Sequence, residues 1–454
     1  MGSVTPFAFH TDTTKENHQK IVLVLACVLL IACLSSSYQP VQNPPGFYLD
    51  ESSIAYNAYT ISQRGLDEHG ESWPLYFRAF GEYKNPIYIY LLALLFRIFG
   101  PGILVARLLS ISLGIAAVLT LSLLAFQISK RFIIATIVGL SAALTPWLFE
   151  NSRLVFEVAI YPLLVCLFLL ALFRASQKEH WGWLQSISIA TTLALLTYSY
   201  SIGRLLAPLL AIGLIFFVTR KRLTGIFMTW LLYGLMLAPA LAFNFRHPGA
   251  LTSRFWLLTY VNSESSIKQI LFNFLRQYAA NINPWTIAVT GEINVRDHVG
   301  TMGAILAPTL LFSLIGILVV LVYLRADRWW RFMLYALVVS VVPASLTTTH
   351  FPQIRLIAMP IFLHVFLIPA LLWLTSSDGK RRQRRTERLK RGVLVAFLLT
   401  IIVQGTIFRV QFKQAGPDRW FVFDEQFPRE VLPTALSQNN KPIYLHDPPG
   451  KSGY

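Results

Sequence analysis

The sequence predicts an all-α polytopic membrane protein, with about eleven transmembrane helices and further helices lying at the outer membrane surface. Three observations carry this. Of 454 residues, 55% are hydrophobic and only 13% charged, with mean hydropathy +0.54; soluble domains carry about 25% charged residues. Apolar runs of spanning length recur from Ile21 to Val410. The bases gather in short loops between alternate runs, as the positive-inside rule requires.

Taken in order, residues 1–20 are polar and read as a cytoplasmic tail. The first span is Ile21 to Tyr38. Acids and polar residues precede it and further spans follow, so it is not a cleavable signal. The first outer loop is 39–102. Within it, residues 86–99 are apolar but only fourteen long, bounded by Pro86 and by Gly100-Pro101-Gly102. That length suits a helix on the membrane surface better than a span. Charge parity decides the matter. With 86–99 flat, spans follow near 103–127, 132–149, 159–173, 182–202, 205–219, 224–243, 301–324, 332–347, 356–375 and 392–408. The loops on one side then hold Lys130-Arg131, Arg174 and Lys178, Arg220-Lys221-Arg222, Arg325, Arg328 and Arg331, and the basic run 380–391, and are cytoplasmic. The other side receives 39–102, 150–157, 198–204, the long loop 244–300, 347–355 and a short C-terminal tail, 409–454. A spanning 86–99 would invert this pattern. In the long loop, Arg254-Phe-Trp-Leu-Leu and Ile270-Leu-Phe-Asn-Phe-Leu-Arg276 read as interfacial helices. The expectation is a multi-pass protein of the inner (plasma) membrane with one domain, 21–408.

The formal net charge of +17 follows from those cytoplasmic loops. The bases lack the interleaved aromatics of a nucleic-acid surface, so no nucleic-acid partner is expected. Cys27, Cys33 and Cys166 lie inside apolar segments and supply neither a disulfide framework nor metal-ligand spacing. No P-loop, complete Gly-x-Gly-x-x-Gly or serine nucleophile elbow is present. Any activated substrate must therefore arrive from the bilayer or the outer aqueous side.

The residues that could carry chemistry lie in the outer loops. Asp50-Glu51 follow the first span directly. Either they are a solvated acidic pair, or one is a general base that takes a proton from an acceptor while the other positions it. Lys84, before Asn85-Pro86, is either a snorkelling interfacial lysine or a point charge for a lipid phosphate. Glu150, Arg153 and Glu157 fall at i, i+3 and i+7, one helical face, with Glu150 and Arg153 also suited to a plain local salt bridge. Arg204, after Tyr198 and Tyr200, and Arg355, after His350, stand at span entrances as interface anchors or anion ligands. The histidines of the outer side have no metal spacing.

In their order, these segments resemble a known family. Phe47-Tyr-Leu-Asp50-Glu51, Gly65-Leu-Asp67-Glu68-His-Gly with Trp73-Pro-Leu, and Tyr83-Lys84-Asn-Pro86-Ile-Tyr-Ile-Tyr come first. Arg107-Leu-Leu-Ser, Pro146-Trp with Ser152-Arg153 and Glu157, Tyr198-x-Tyr200 with Arg204-Leu-Leu-Ala-Pro, and Arg355 before Met359-Pro360 follow. Across most of 20–375 the chain is similar to bacterial membrane glycosyltransferases of the GT-C fold, the family-39-like superfamily of protein O-mannosyltransferases and aminoarabinose transferases. The resemblance implies a monosaccharide donor linked to polyprenyl phosphate and used on the extracytoplasmic face. It implies a glycan, lipid or protein acceptor, Asp50 as catalytic base and Lys84 at the donor phosphate. Glu51 and Glu157 join the catalytic set. Arg153, Arg204 and Arg355 join the phosphate set, and Asp67, Glu68, Tyr83, Tyr198, Tyr200 and His350 line the substrate. Two departures stand out: Glu157 replaces the aspartate of several relatives, and Asn85 replaces the first of two prolines. A possible divalent cation is left open. The rival readings are a transporter or flippase of a lipid-linked substrate, which would place ionisable groups near the bilayer midplane, and an oligosaccharide polymerase or ligase.

Overall fold

The computed structural model describes residues 27–29, 32, 39–300, 302–376, 384–423 and 437. The expected tail 1–20, nearly all of the expected first span and, apart from 437, residues 424–454 lie outside them. Among the described residues five helices are long and apolar enough to cross a membrane: Ile103–Ser129, Glu157–Ser176, Leu223–Arg246, Ala307–Leu324 and Arg388–Ala415. Shorter apolar helices cover Pro86–Phe99, Phe132–Leu144, Gly203–Phe217 and Met359–Thr375. The remaining expected spans are the helices Trp183–Ser199 and Arg328–Ser340.

Helices thus lie where apolar runs predict them, but their ends follow local chemistry. The helix expected to end at 149 stops at Leu144, because Pro146 opens a separate six-residue helix, Pro146–Asn151. The helix expected from 332 begins at Arg328, because Asp327 caps it, accepting from the Trp329 and Trp330 amides at 2.8 and 3.2 Å. The last helix runs Arg384–Ala415 rather than 392–408, so the tail expected from 409 begins as helix. Arg and Lys are good helix formers and give the helix no reason to stop at the apolar boundary.

The loops sort into two groups that bond among themselves. At one end Arg131 Nη1 donates to Thr375 Oγ1 at 2.7 Å, Arg222 Nε to the Lys178 carbonyl at 2.9 Å, and Lys390 Nζ to the Ser376 carbonyl at 2.9 Å. These are the loops read as cytoplasmic. At the other end Trp147 Nε1 donates to the Gln353 carbonyl at 3.1 Å, Arg409 Nη2 to the Ala143 carbonyl at 2.7 Å, and Asn43 Nδ2 to the Phe412 carbonyl at 2.8 Å.

The second end carries most of the non-spanning structure. Helix α1, Leu49–Arg64, is followed by an antiparallel hairpin, β1 Phe77–Ala79 and β2 Glu82–Lys84, and by helix α2, Pro86–Phe99, which packs on α1. At 14 residues α2 is about 21 Å long. The long loop 244–300 holds two helices, α3 Ser253–Leu258 and α4 Ile267–Asn281. It is fastened to 345–353 at several points. Tyr260 Oη donates to the Ser345 carbonyl at 2.9 Å, Gln277 Nε2 to the Thr348 carbonyl at 2.9 Å, and the Gln353 amide to Glu292 Oε2 at 2.7 Å. Helix α4 leaves Ile267, Leu271, Phe272 and Leu275 exposed, an apolar face fit for the interface.

Candidate active site

Asp50 and Glu51 sit in the first turn of α1, where the helix dipole favours carboxylates. Adjacent helical positions point in different directions, and the two acids find different partners. Glu51 Oε2 accepts from the Tyr48 amide at 2.8 Å, capping the helix, and Oε1 accepts from the Val155 amide at 2.6 Å. Arg107, wholly buried, pairs with both oxygens. It also donates to the Gly46 carbonyl at 2.8 Å and to the Arg153 carbonyl. Glu51 therefore ties α1 to the 153–155 turn and to the long helix carrying Arg107.

Asp50 faces the hairpin. A two-residue turn, Phe80-Gly81, closes it with φ of 52° and 74°, both positive, the geometry whose twist matches paired strands and which favours glycine at the second position. Positions two apart share a strand face, so Glu82 and Lys84 point inward together, while Tyr83 packs on the other side against Phe243 and His247. Lys84 Nζ donates to Asp50 Oδ1 at 2.5 Å and to Glu82 Oε1 at 2.9 Å. Burial opposes the charge on Lys84, but Asp50, Glu82 and Glu157 outweigh it and raise its pKa. The ammonium is held as a cation.

Arginines converge on the same place. Arg254 Nε of α3 lies 3.2 Å from Glu82 Oε2. Arg296 Nη1 lies 3.6 Å from Asp50 Oδ2, while its Nε and Nη2 bind Asp297 at 2.7 and 2.8 Å. Burial works against the Arg296 charge, yet Asp297 and Asp50 raise its pKa. Arg204 donates to Asn85 Oδ1 at 2.9 Å and to the Leu251 carbonyl at 2.6 Å, with its guanidinium 5.3 Å from the Tyr76 ring centre. Glu157 accepts the Asn85 amide. Arg355 is held by Thr347 and Thr349 hydroxyls at 3.1 and 3.2 Å.

A polar cavity of about 60 Å³ is bounded by Glu82, Lys84, Glu157, Tyr200 and four arginines, and Asp50 reaches it through its contacts with Lys84 and Arg296. A second, larger cavity of about 240 Å³ adjoins it and shares Ser201, Arg204, Arg254, Leu258 and Arg355 with it. Its other walls are mostly apolar: Ile202, Leu205, Leu251, Phe255, Pro343 and Leu346. A polar end with several cations opening onto an apolar trough suits an amphiphile with an anionic head.

Of the residues singled out from the sequence, Asp50, Lys84, Glu157, Tyr200, Arg204 and Arg355 come together here, with Tyr83 in the cavity wall. Others do not. Glu150, Arg153 and Glu157 do not share a helical face, because the helix ends at Asn151. Arg107 takes the Arg153 carbonyl, Ser110 Oγ takes that of Leu154 at 2.7 Å, and Glu51 takes the Val155 amide, so the backbone there is bonded to side chains from elsewhere. Glu150 turns instead to His298 Nδ1 at 2.7 Å and the Val299 amide at 2.8 Å. The Arg153 guanidinium lies 4.8 Å from the Phe149 ring centre, outside the cavity wall. Asp67 closes its own loop, accepting from the His69 and Glu71 amides at 2.9 and 2.8 Å, and Glu68 Oε1 accepts from Asn57 Nδ2 at 2.9 Å. Tyr198 Oη donates to the Met236 carbonyl at 2.9 Å, and His350 is exposed on its loop.

Sequence reasoning passed over Glu82, Arg254 and Arg296 as site residues. Glu82 carried a usable signal, two residues before Lys84 on one strand face. Arg254 and Arg296 carried none, since the long loop folds them back from far along the chain. Among the described residues no three His, Cys, Asp or Glu side chains are grouped to hold a metal ion.

No protein-family model matches the sequence, and no curated protein sequence aligns with it. Solved structures do match in fold. ArnT from Cupriavidus metallidurans, bound to undecaprenyl phosphate, superposes with TM-score 0.58 at 13% identity, over 93% of this chain and 81% of that one. Its apo state gives 0.57 at 13% identity, over 94% and 81%. The Archaeoglobus fulgidus oligosaccharyltransferase, tethered to an acceptor peptide, gives 0.51 at 15% identity, over 86% of this chain and 55% of that longer one. At such identities the likeness concerns architecture, and on that architecture the chain has the GT-C membrane fold.

Proposed function

We propose that this chain is a membrane glycosyltransferase that moves a monosaccharide from a polyprenyl-phosphate donor to a glycan, lipid or protein acceptor on the extracytoplasmic face. The observation that carries the reading is Lys84, hydrogen-bonded to Asp50 at 2.5 Å on the wall of a cation-lined cavity that adjoins an apolar one. The prenyl chain would lie in the apolar trough, with Leu205, Leu251, Phe255 and Leu346 along it. The phosphate would sit among Lys84, Arg204, Arg254 and Arg355. Asp50 would take the proton of the acceptor as it attacks the anomeric carbon and inverts it. The leaving phosphate is already anionic, so it needs fixed positive charge rather than a proton donor, and the lysine and arginines would supply it before the bond breaks. Lys84 links the base to the leaving group. Glu51 would act through α1, setting the position of Asp50, and Glu157 would hold the Asn85 amide beside Arg204.

Five cations, Lys84, Arg204, Arg254, Arg296 and Arg355, gather at the cavity, and together they would hold an anionic lipid head. Against a transporter or flippase stands the position of the cluster at span ends and in loops.

The test is a transfer assay of the purified chain against prenyl-phosphate sugars and prenyl-diphosphate oligosaccharides, with and without chelator. Turnover of a monophosphate donor supports the reading. Turnover of diphosphate donors alone, or vesicle translocation without transfer, overturns it.

A further inference from the structure

Glu82 has no part in the donor binding or proton transfer proposed above, yet it lines the cavity beside Lys84. It is 6% exposed, and its two oxygens are divided between two cations, Lys84 Nζ at 2.9 Å and Arg254 Nε at 3.2 Å. That is the bridging pattern two non-bridging oxygens of a phosphodiester would adopt between the same groups. Lys84 thus carries two carboxylates, Asp50 and Glu82, where one would neutralise it. Arg254 is the more exposed partner. Its side chain is 34% exposed on the six-residue helix α3, which lies between the two cavities and contributes to both walls.

Resting on the donor reading above, we propose that Glu82 is an internal anion that holds the place of the donor phosphate between Lys84 and Arg254 and is displaced when the lipid phosphate binds. Both cannot occupy the bridge, since the phosphate oxygens would need the positions that the Glu82 oxygens hold against Lys84 Nζ and Arg254 Nε. The empty site is then electrically satisfied, with its cations neither exposed to lipid headgroups nor repelling each other. Arriving phosphate competes with a tethered carboxylate, so lipids carrying one weakly held anion are rejected and only a donor that also fills the apolar trough displaces Glu82. Released Glu82 can follow Lys84 or turn to solvent with the two-residue turn at Phe80-Gly81. Glu82 is a specificity-determining residue in this account, and the substrate class it selects for is a prenyl monophosphate.

The experiment measures binding of undecaprenyl phosphate to the full chain in detergent, for the wild type and Glu82→Gln, alongside phosphatidic acid as a short-chain-competent anionic lipid. The glutamine keeps the shape and a hydrogen bond to Lys84 but not the charge. The expected result is binding about tenfold tighter for Glu82→Gln, with a larger relative gain for phosphatidic acid, so that discrimination between the two lipids shrinks. If the wild type binds prenyl phosphate and Glu82→Gln binds it equally or more weakly, the placeholder role is wrong while the donor site stands. If neither protein binds it, the donor reading fails and takes this inference with it. Should Glu82→Gln not give folded protein, Glu82→Ala read against the same two lipids replaces it, with the same expected direction.

Discussion

Replacing Arg107 with methionine would strand Glu51. In the native protein Arg107 is 0% exposed and Glu51 is 2% exposed. The guanidinium bonds to both Glu51 oxygens, to the Gly46 carbonyl and to the Arg153 carbonyl. Methionine fills much of the volume but supplies no donor. Removing one partner of a buried ion pair typically costs about 3–5 kcal/mol, because the remaining charge is desolvated and unpaired. Here Glu51 keeps the Tyr48 and Val155 amides, which places the expected cost near 3 kcal/mol. The assay is denaturant unfolding of the purified chain in a fixed detergent, comparing midpoints at constant slope. The double variant Glu51→Gln with Arg107→Met removes the stranded charge, and a coupling of about 1–3 kcal/mol is expected between the two sites. A loss below about 1 kcal/mol for Arg107→Met, or additive single effects, would refute the idea that this pair anchors α1 and thereby Asp50.

Two further outcomes follow from the site and its surroundings. His298 is buried against Glu150; burial lowers its pKa, but the carboxylate outweighs this and raises it. The pair's contribution is therefore complete below pH about 6.5, the ordinary histidine value, and is lost as pH rises through the elevated folded value. Melting curves taken upward from pH 6 should show that loss in the wild type and a flatter profile in His298→Gln. Arg355→Gln should raise KM for a prenyl-phosphate donor about tenfold with a smaller change in kcat, since its hydroxyl partners hold it at the boundary of both cavities; an unchanged KM would remove it from the phosphate set.

The sequence was most readable where one physical demand dominates. Apolar runs place the helices, and the basic residues mark one of the two groups of loops that the hydrogen bonds join. Asp50 and Lys84 could be singled out because each follows an apolar run or opens one. Their direct bond, 34 positions apart, depends on the hairpin's twist and could not be read from spacing. The Glu150, Arg153 and Glu157 helical face failed because local periodicity assumes the backbone bonds to itself. Arg107, Ser110 and Glu51, from two other helices, claim those backbone groups instead. Glu51 looked like half of a catalytic pair because adjacency in sequence suggests a shared task, whereas adjacent helical positions point about 100° apart. Arg254 and Arg296 were out of reach for the opposite reason. The loop holding them is fixed by Gln277, Tyr260 and Glu292 against the 345–353 segment, contacts between segments tens of residues apart.

The central claim is that Asp50 is the base of a sugar transfer from a lipid phosphate held by Lys84. It is tested most directly by single-turnover release of prenyl phosphate from a prenyl-phosphate sugar, in the presence of acceptor, by the wild type and Asp50→Asn. Asparagine preserves the oxygen that accepts from Lys84 and removes the proton acceptor. The expected result is folded protein that still binds donor, somewhat destabilised because Lys84 keeps only Glu82 as a charged partner, with the rate reduced by about 10²–10⁴. A folded Asp50→Asn protein that transfers sugar at the wild-type rate would contradict it.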